Sequence, residues 1–215
     1  SLVGTSTNDR SGCTDSDGDG WSDPDSGWGV QNGADAFASE PTQWLDSDND
    51  GYGDNLDGFE GDHCKFSRGY SSSDRFGCLD SDGDSFSDPD PGGLNGYEPW
   101  YAHPVGKADA FLNDVSQWND TDEDGYGDNW DDPSLNATRA LWDIGQFVDN
   151  ASQPDACPFI RGTSSSDRFG CVDTDLDTFS DGDENWTIAN GSDAFPLEPT
   201  QWLDTDRDGW GDNQT

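Results

Sequence analysis

The sequence predicts a mostly irregular fold: an elongated tandem of loops with little regular secondary structure, in which bound metal ions and disulfides take the place of a hydrophobic core. Three observations support this. The string Asp-x-Asp-x-Asp occurs six times in 215 residues. Only 29% of residues are hydrophobic, against the ~45–50% usual for a globular domain. Gly, Pro, Asp and Asn are dense throughout, which disfavours long helices and strands.

The aromatic content argues against simple disorder. A formal charge of −38 with few apolar residues is typical of a disordered chain. This chain nevertheless contains ten Trp, five Tyr and eleven Phe. Its acidic residues are also phased rather than scattered. We therefore predict a chain that is poorly ordered without metal and folded with it, because metal binding then supplies folding free energy.

The same elements recur in the same order three times. A link of pattern (S/T)xxDRxGC ends at Cys13, Cys78 and Cys171. An Asp block opens two residues later, and a D-A-F segment, a Gln-Trp pair and a second Asp block ending in Gly-Asp-Asn follow it. Recurrence of this kind indicates a repeat protein. The predicted repeat units cover residues 1–62, 63–155 and 156–215.

The second repeat unit carries two insertions. Its two Asp blocks begin 40 residues apart, against 31 in the other units. A second insertion, around NWDDPSLNATRALWDIGQFVDN, follows its second block. Insertions in repeat proteins usually form surface loops. Here residues Ala137 to Phe147 predict one short helix.

The Asp blocks have the spacing of a calcium loop. Each has Asp at positions 1, 3, 5 and 9 and an aromatic residue at position 7, and position 6 is Gly in four of the six. Carboxylates this dense repel one another unless a cation lies between them, and flexible oxygen-rich loops suit calcium. In EF-hand loops position 6 makes the sharp turn and position 7 offers its backbone carbonyl. We predict six or more calcium ions, with these ligands at positions 1, 3, 5, 7 and 9: Asp15, Asp17, Asp19, Trp21, Asp23, Asp46, Asp48, Asp50, Tyr52, Asp54, Asp80, Asp82, Asp84, Phe86, Asp88, Asp120, Asp122, Asp124, Tyr126, Asp128, Asp173, Asp175, Asp177, Phe179, Asp181, Asp204, Asp206, Asp208, Trp210 and Asp212.

The ligands that close each site must come from outside the block. An EF-hand uses a bidentate Glu at position 12 and flanking helices, and this chain has neither. Ser85 and Thr178 replace Gly at position 6, so we expect a strained or slightly different turn there. The block at Asp204 is expected to need residues from a further unit. The candidate closing ligands, at positions 11 and 12 and in the D-A-F segments, are Asp25, Asp90, Asp183, Asp57, Asp131, Asp35, Asp109 and Asp193.

The cysteine spacing predicts two local disulfides. Cys64 and Cys78 are 14 residues apart, and so are Cys157 and Cys171. Each disulfide would close a loop of ~15 residues and contribute roughly 3 kcal/mol in the chain-entropy model. Disulfides imply an oxidising, extracytoplasmic location. A zinc site is the competing interpretation, but the chain has no CxxC and only two His. Cys13 has no equivalent partner, which indicates a window on a longer tandem array.

These motifs resemble the thrombospondin type 3 repeat family. The resemblance rests on DSDGDGWSDPD at 15–25, DSDNDGYGDN at 46–55 and DTDRDGWGDN at 204–213, together with the linking cysteines. It covers most of the chain except the insertions of unit two. It implies calcium-filled loops wound around a core of metal ions and stapled by disulfides. It also implies a calcium-dependent structural or adhesive module rather than a catalyst.

Several other functions are disfavoured by the sequence. No nucleophile–base–acid set is visible, and the paired carboxylates are spaced like metal ligands rather than glycosidase acids, so an enzyme is not predicted. The acidity disfavours nucleic acids and anionic membranes as partners. There is no apolar run of about 18 residues, so membrane insertion is not predicted. Sequons in the insertions and links predict glycosylation at Asn136, Asn150, Asn185 and Asn190.

The function expected from the sequence is structural. We expect a secreted or cell-surface calcium-binding protein that self-associates into a filament or forms part of a rod or stalk. Repeat units of this kind contact mainly their neighbours. Two alternatives remain open: a calcium-dependent adhesin that binds glycans, and the linker region of a larger secreted enzyme.

Overall fold

The computed structural model describes residues 4–93 and 98–213. Its regular elements are two 3₁₀-helices, Val30–Asn32 and Pro133–Leu135, and one α-helix, α1, at Asn136–Trp142. Isolated β-bridges, such as that between Asp25 and Trp28, supply the remaining regular pairing in the described ranges. The prediction of a mostly irregular fold with little helix or strand is confirmed. No helix in these ranges is long and apolar enough to cross a bilayer.

Helix α1 is shorter than the sequence predicts. It begins at Asn136 and ends at Trp142, whereas the prediction continued to Phe147. Asp143, the residue after the helix, has φ 55°, and Gly145 has φ 63°. Left-handed residues of this kind end helices, so the chain leaves the helix two turns after it begins.

The chain forms two compact units, Ser1–Tyr101 and Ala102–Thr215. The division falls inside the PWYAHPVG insertion of the second predicted repeat unit. Each compact unit contains one of the two predicted disulfides. Cys64–Cys78 lies in the first with a Cα–Cα distance of 5.0 Å, and Cys157–Cys171 lies in the second with 5.1 Å. The prediction of two local disulfides is confirmed.

The interior is polar rather than apolar. The largest fully buried side chains include Gln43, Gln117 and Asn129, together with several Asp residues. Buried polar groups need partners, and the Gln side chains find them in the backbone of the second block of each unit. The Gln43 amide donates to the Asn55 carbonyl at 2.9 Å, and its oxygen accepts the Asn55 N–H at 3.1 Å. A Cβ at Gly53 would lie 2.0 Å from that amide oxygen, which explains the Gly at position 8 of this block.

The first block of each unit is fixed differently at position 8. Its residue is Ser, and the Asp of the preceding link accepts both its N–H and its hydroxyl. At Ser87 these bonds to Asp74 are 2.9 and 2.6 Å, and at Ser180 those to Asp167 are 2.8 and 2.6 Å. The link Asp thus anchors the first block of each unit, called here a first-type block. The Gln of the Gln-Trp pair anchors the second block, called here a second-type block.

Small aromatic contacts supplement the polar interior. Position 7 of four blocks supplies one ring of each pair, and the ring centroids lie 5.1 to 6.2 Å apart. Trp44 and Trp202 of the Gln-Trp pairs take part in two of them. The pairs are Trp21–Trp44, Tyr52–Phe76, Tyr126–Phe169 and Phe179–Trp202.

Candidate metal centres

Position 6 makes the same sharp turn whether or not it is Gly. Gly20 has φ 98°, Ser85 has φ 83° and Thr178 has φ 85°. The turn exposes the N–H of this residue to the first Asp of its block, as in the 3.0 Å bond from Ser85 to Asp80. A left-handed conformation is costly for a non-Gly residue and most costly for a β-branched one. The two blocks expected to differ therefore keep the turn and carry the backbone strain.

The residue that faces position 6 explains which side chain is tolerated there. A Cβ at Gly20 would lie 2.7 Å from the amide nitrogen of Asn8. The equivalents of Asn8 in the other links are the smaller Ser73 and Ser166. The Ser166 hydroxyl bonds the Thr178 hydroxyl at 2.6 Å. A side chain at position 20 would therefore displace the Asn8 amide, whereas the Ser residues of the other links leave room for Ser85 and Thr178.

Position 4 is a second left-handed residue that the sequence did not reveal. Asn49, Glu123, Leu176 and Arg207 occupy it with φ between 61° and 65°. The two left-handed residues bend the loop so tightly that its backbone N–H groups point at its own carboxylates. Gly18 and Gly83 occupy it in two further blocks with φ 85°, so Gly and Asn mark the position in half of the blocks and the other three residues obscure the signal.

The carboxylates at positions 1, 3 and 5 converge. In the first block Asp15 accepts the N–H groups of Gly18 and Gly20, at 2.7 and 3.2 Å. Asp17 and Asp19 each accept one N–H with Oδ1. The Oδ2 atoms of both are buried without a hydrogen-bond partner among residues 4–93 and 98–213. One oxygen from each of the three carboxylates lies within 4.8 Å of the others, so the group can hold a metal ion. The same convergence occurs in the blocks that begin at Asp46, Asp80, Asp120 and Asp173.

A fourth carboxylate joins the first block from the D-A-F segment. Asp35 is 1% exposed, and its Oδ1 accepts the Phe37 N–H at 2.7 Å. Its Oδ2 is buried and has no partner in the described chain. The pKa of Asp35 is raised to about 6, chiefly by burial and to a smaller extent by the charges of Asp19 and Asp17. Asp193 repeats this arrangement beside Asp177 and Asp175, with a pKa raised by burial to about 6. The sequence had named both residues as closing candidates.

The fourth carboxylate of the second-type blocks was missed by the sequence analysis. Asp62 is 0% exposed and Asp155 1% exposed, and each Oδ2 is buried without a partner in the described ranges. A Cβ at Gly77 would lie 2.3 Å from Asp62 Oδ1 and 3.3 Å from Asp50 Oδ2, so these two carboxylates face the same point. In the same way, a Cβ at Gly170 would lie 2.3 Å from Asp155 Oδ1 and 3.0 Å from Asp124 Oδ2.

A sequence signal for this fourth carboxylate does exist. Asp62 and Asp155 each stand two residues before the first Cys of a disulfide, and their Oδ1 atoms accept the Cys N–H at 2.6 and 2.7 Å. The D-A-F segments make the same bond to Phe. Asp109, which is buried, also accepts the Phe111 N–H at 2.7 Å. The shared pattern is Asp-x-(Phe/Cys), which is wider than D-A-F.

The electrostatics of the clusters fit a hard cation. Burial raises the pKa of Asp62 to about 7 and that of Asp155 to about 8, and neighbouring Asp charges add to both shifts. Within the blocks, burial likewise raises the pKa of Asp84 to about 7 and that of Asp122 to about 6. A divalent cation among these oxygens would reverse the penalty for their charge. The donors are all oxygen, which favours calcium over the nitrogen- and sulfur-bound metals.

The disulfide loops contact the second-type blocks. The Gly69 N–H donates to Asp50 Oδ2, and the Gly162 N–H donates to Asp124 Oδ2, both at 3.0 Å. The Arg161 side chain donates to the Asp122 carbonyl at 2.9 Å. The loop closed by each disulfide therefore lies directly against the carboxylates of the block before it.

The position 9 carboxylates close the loop internally. Asp23 accepts the Ser16 N–H at 2.9 Å and its hydroxyl at 2.6 Å. Asp54, Asp88, Asp128 and Asp181 bond the position 2 residue in the same way. Asp212 accepts the Thr205 N–H at 2.8 Å.

The candidates at positions 11 and 12 are placed differently from the buried set. Asp25 pairs with Arg10 at 2.8 Å, and Asp183 pairs with Arg168 at 2.6 Å. The backbone of Asp90 forms a bridge with Trp100. Asp57 and Asp131 are exposed.

The last block has the same internal bonds but is more open. Asp204 accepts the Gly209 N–H at 3.0 Å, and Asp208 accepts the Trp210 N–H at 2.9 Å. Asp206 and Asp208 are exposed. The Asn residues of the four predicted sequons, Asn136, Asn150, Asn185 and Asn190, are also exposed.

Comparison of the chain with protein-family models and with curated proteins gives no match.

Proposed function

We propose that the chain is a calcium-binding structural module of an extracellular rod, stalk or filament. The observation that carries this proposal is the buried fourth carboxylate beside a block, with one oxygen that has no hydrogen-bond partner among the described residues. An unpartnered charged oxygen that is fully buried is costly. It recurs at four blocks of this chain, where a cation would remove the cost.

The proposed ligand sets combine three block carboxylates with one from the Asp-x-(Phe/Cys) pattern. Four carboxylates leave room for the carbonyl or water oxygens that complete a calcium shell of six to eight ligands. Six divalent ions would bring twelve positive charges to a chain of formal charge −38. The four carboxylate sets are Asp15, Asp17, Asp19 and Asp35; Asp46, Asp48, Asp50 and Asp62; Asp120, Asp122, Asp124 and Asp155; and Asp173, Asp175, Asp177 and Asp193.

In this proposal the ions hold the chain together. The fourth ligand lies 12 to 31 positions beyond the last Asp of its triplet in the sequence, so a bound ion joins distant segments as a disulfide does. The two disulfides are compatible with an extracellular location, where calcium is abundant. A module whose shape depends on permanent ions suits a load-bearing role better than a sensing role.

Calcium removal tests the proposal. We expect native mass spectrometry to count at least six calcium ions, and small-angle scattering to show an increase in radius of gyration when a chelator removes them. Electron microscopy of the protein in calcium and in chelator tests filament formation. A chain that keeps its scattering profile after complete ion removal would refute the structural role.

The second candidate is a calcium-dependent adhesin that binds glycans. A specific surface favours it: Trp142 is 43% exposed and Phe159 56% exposed, and their rings meet edge to face at 5.5 Å. They line a groove of about 640 Å³ whose lining also includes Glu184 and Asn185. Exposed aromatic rings beside polar side chains are a common setting for binding sites. A glycan array probed with and without calcium separates the adhesin from a passive rod.

A further inference from the structure

The insertion in the second repeat unit places a buried cation beside one candidate metal centre. Asn129 and Asp155 are separated by 26 positions, whereas the equivalent Asn55 and Asp62 are separated by seven. Helix α1 lies in the extra segment, and Arg139 is its one buried residue, at 2% exposure. The insertion thus brings inward a guanidinium that the equivalent segment of the first repeat unit does not contain.

Arg139 is held against Asp155, the fourth carboxylate of its site. Its Nη2 donates to the backbone carbonyl of Asp155. Its guanidinium lies 5.9 Å from the Trp130 ring centroid and 5.6 Å from that of Trp142. Nη1 is buried and has no hydrogen-bond partner in the described chain. A buried guanidinium remains charged, so it needs negative charge nearby.

That negative charge comes from the fourth carboxylate of the candidate site and from position 9 of its block. The charges that act on Arg139 most are Asp155 and Asp128. Arg139 in turn favours the ionised form of Asp155. At the equivalent Asp62 the leading charges are Asp50, Asp48 and Asp54, which all oppose ionisation. The two centres therefore differ at the fourth carboxylate: a buried guanidinium is bonded to Asp155, whereas the leading charges at Asp62 are all negative.

We propose that Arg139 is an internal counter-ion for the centre formed by Asp120, Asp122, Asp124 and Asp155, and that it keeps this centre ordered when calcium is absent. The inference rests on the proposed calcium-binding function. Attraction between Arg139 and the carboxylates is strongest when no ion is bound, because a divalent cation in the centre repels the guanidinium. Arg139 therefore stabilises the empty centre more than the loaded one, and it acts as a positioning residue rather than a ligand.

Amide hydrogen exchange offers a matched pair of reporters. The Asp155 N–H donates to the Gly127 carbonyl, and the Asp62 N–H donates to the Gly53 carbonyl, each at 2.8 Å. Each bond ties the fourth carboxylate to its block. In the wild-type chain in chelator, we expect the protection factor of the Asp155 amide, which corrects for its intrinsic exchange rate, to be about tenfold larger than that of the Asp62 amide. In saturating calcium we expect both to be strongly protected.

Variants separate charge from packing. Arg139→Gln keeps a donor but removes the charge, so in chelator we expect Asp155 exchange to rise about tenfold and Asp62 exchange to stay unchanged. In calcium the change should be under about threefold. Arg139→Lys, which keeps the charge, should retain most of the protection. The matched control is Lys107→Gln, which removes an exposed cation of the same compact unit that is not part of this centre, and it should change little.

The outcomes are distinct. Equal protection factors of the two amides in the wild-type chain in chelator would overturn the counter-ion role, and this comparison needs no variant. An Arg139→Gln effect of equal size in chelator and in calcium would also overturn it, because that pattern indicates packing alone. If calcium protects neither amide, the proposed calcium-binding function itself fails.

Discussion

Substitution of Asp62 by Asn should have opposite effects with and without calcium. Asp62 is fully buried, its Oδ2 has no hydrogen-bond partner in the described ranges, and burial raises its pKa to about 7. With calcium bound, Asn replaces a charged ligand by a neutral one. The loss of one unit charge at about 4 Å from a cation amounts to several kcal/mol at an effective dielectric constant near 20. The retained amide oxygen offsets part of that loss, so we expect about 3 kcal/mol, or roughly a hundredfold weaker binding of one ion.

Without calcium the same change should help the chain. At pH 8 the wild-type carboxylate is ionised and buried, and a rise in pKa from 3.8 to about 7 corresponds to a penalty of up to about 4 kcal/mol. Asn removes the charge and keeps the shape. We therefore expect the position 62 amide, bonded to the Gly53 carbonyl at 2.8 Å, to exchange more slowly in chelator in the variant than in the wild type.

Calorimetric calcium titration and amide exchange of the same samples check both signs. Asp57→Asn is the matched control, because Asp57 is exposed in the same repeat unit and its loss should change neither measurement. Calcium affinity within threefold of wild type in Asp62→Asn would refute the ligand assignment. Faster exchange of the variant in chelator would refute the account of the buried charge.

Three further predictions follow from the same geometry. Thr178→Gly should stabilise the calcium-loaded chain by about 1 kcal/mol in thermal unfolding, because Thr178 has φ 85°. A lower melting temperature would contradict this and show that the 2.6 Å bond from Thr178 to Ser166 outweighs the backbone strain. Gln43→Ala should cost about 2–4 kcal/mol, since it removes the acceptor of the Asn55 N–H and the side-chain donor to the Phe59 carbonyl, and denaturant unfolding measures this. Acids with pKa raised to about 6 to 8 keep their protons in the folded chain after the unfolded chain has lost them. Ion-free stability should therefore be greatest below about pH 4 and fall as pH rises toward 8, and calcium binding near pH 7 should release protons, which titration in buffers of different ionisation enthalpy detects.

The sequence predicted those features of the sites that local spacing determines. The Asp triplets, the sharp turn at position 6 and the two disulfides all depend on residues close in the chain, and a fixed spacing leaves a visible pattern. Position 4 left only a partial pattern, because Glu, Leu and Arg accept its left-handed turn in three of the six blocks. Asp62 and Asp155 were missed for another reason. The D-A-F segments are visible in the sequence because the same three residues recur. The structural requirement is wider: an Asp whose Oδ1 accepts an N–H two residues later.

The substitutions at position 6 show how a departure from a pattern can be compensated nearby. Ser85 and Thr178 predicted weaker or altered turns when each block was considered alone. The structure keeps the turn, and the link residue beside it differs as well: Asn8 in one link corresponds to the smaller Ser73 and Ser166 in the others. The contact spans 12 positions in the sequence, so a comparison of aligned blocks without their links cannot reveal it.

The two kinds of block also explain why the disulfides occur where they do. A first-type block receives its fourth carboxylate from a D-A-F segment, where Phe supplies the N–H that orients the Asp. A second-type block receives it from Asp62 or Asp155, where that N–H belongs to a cystine residue. The disulfide loop then returns to the block through the Gly69 or Gly162 N–H. Each disulfide is therefore part of the frame of one candidate metal centre, and its reduction should weaken ion binding more at the second-type centres than at the first-type centres.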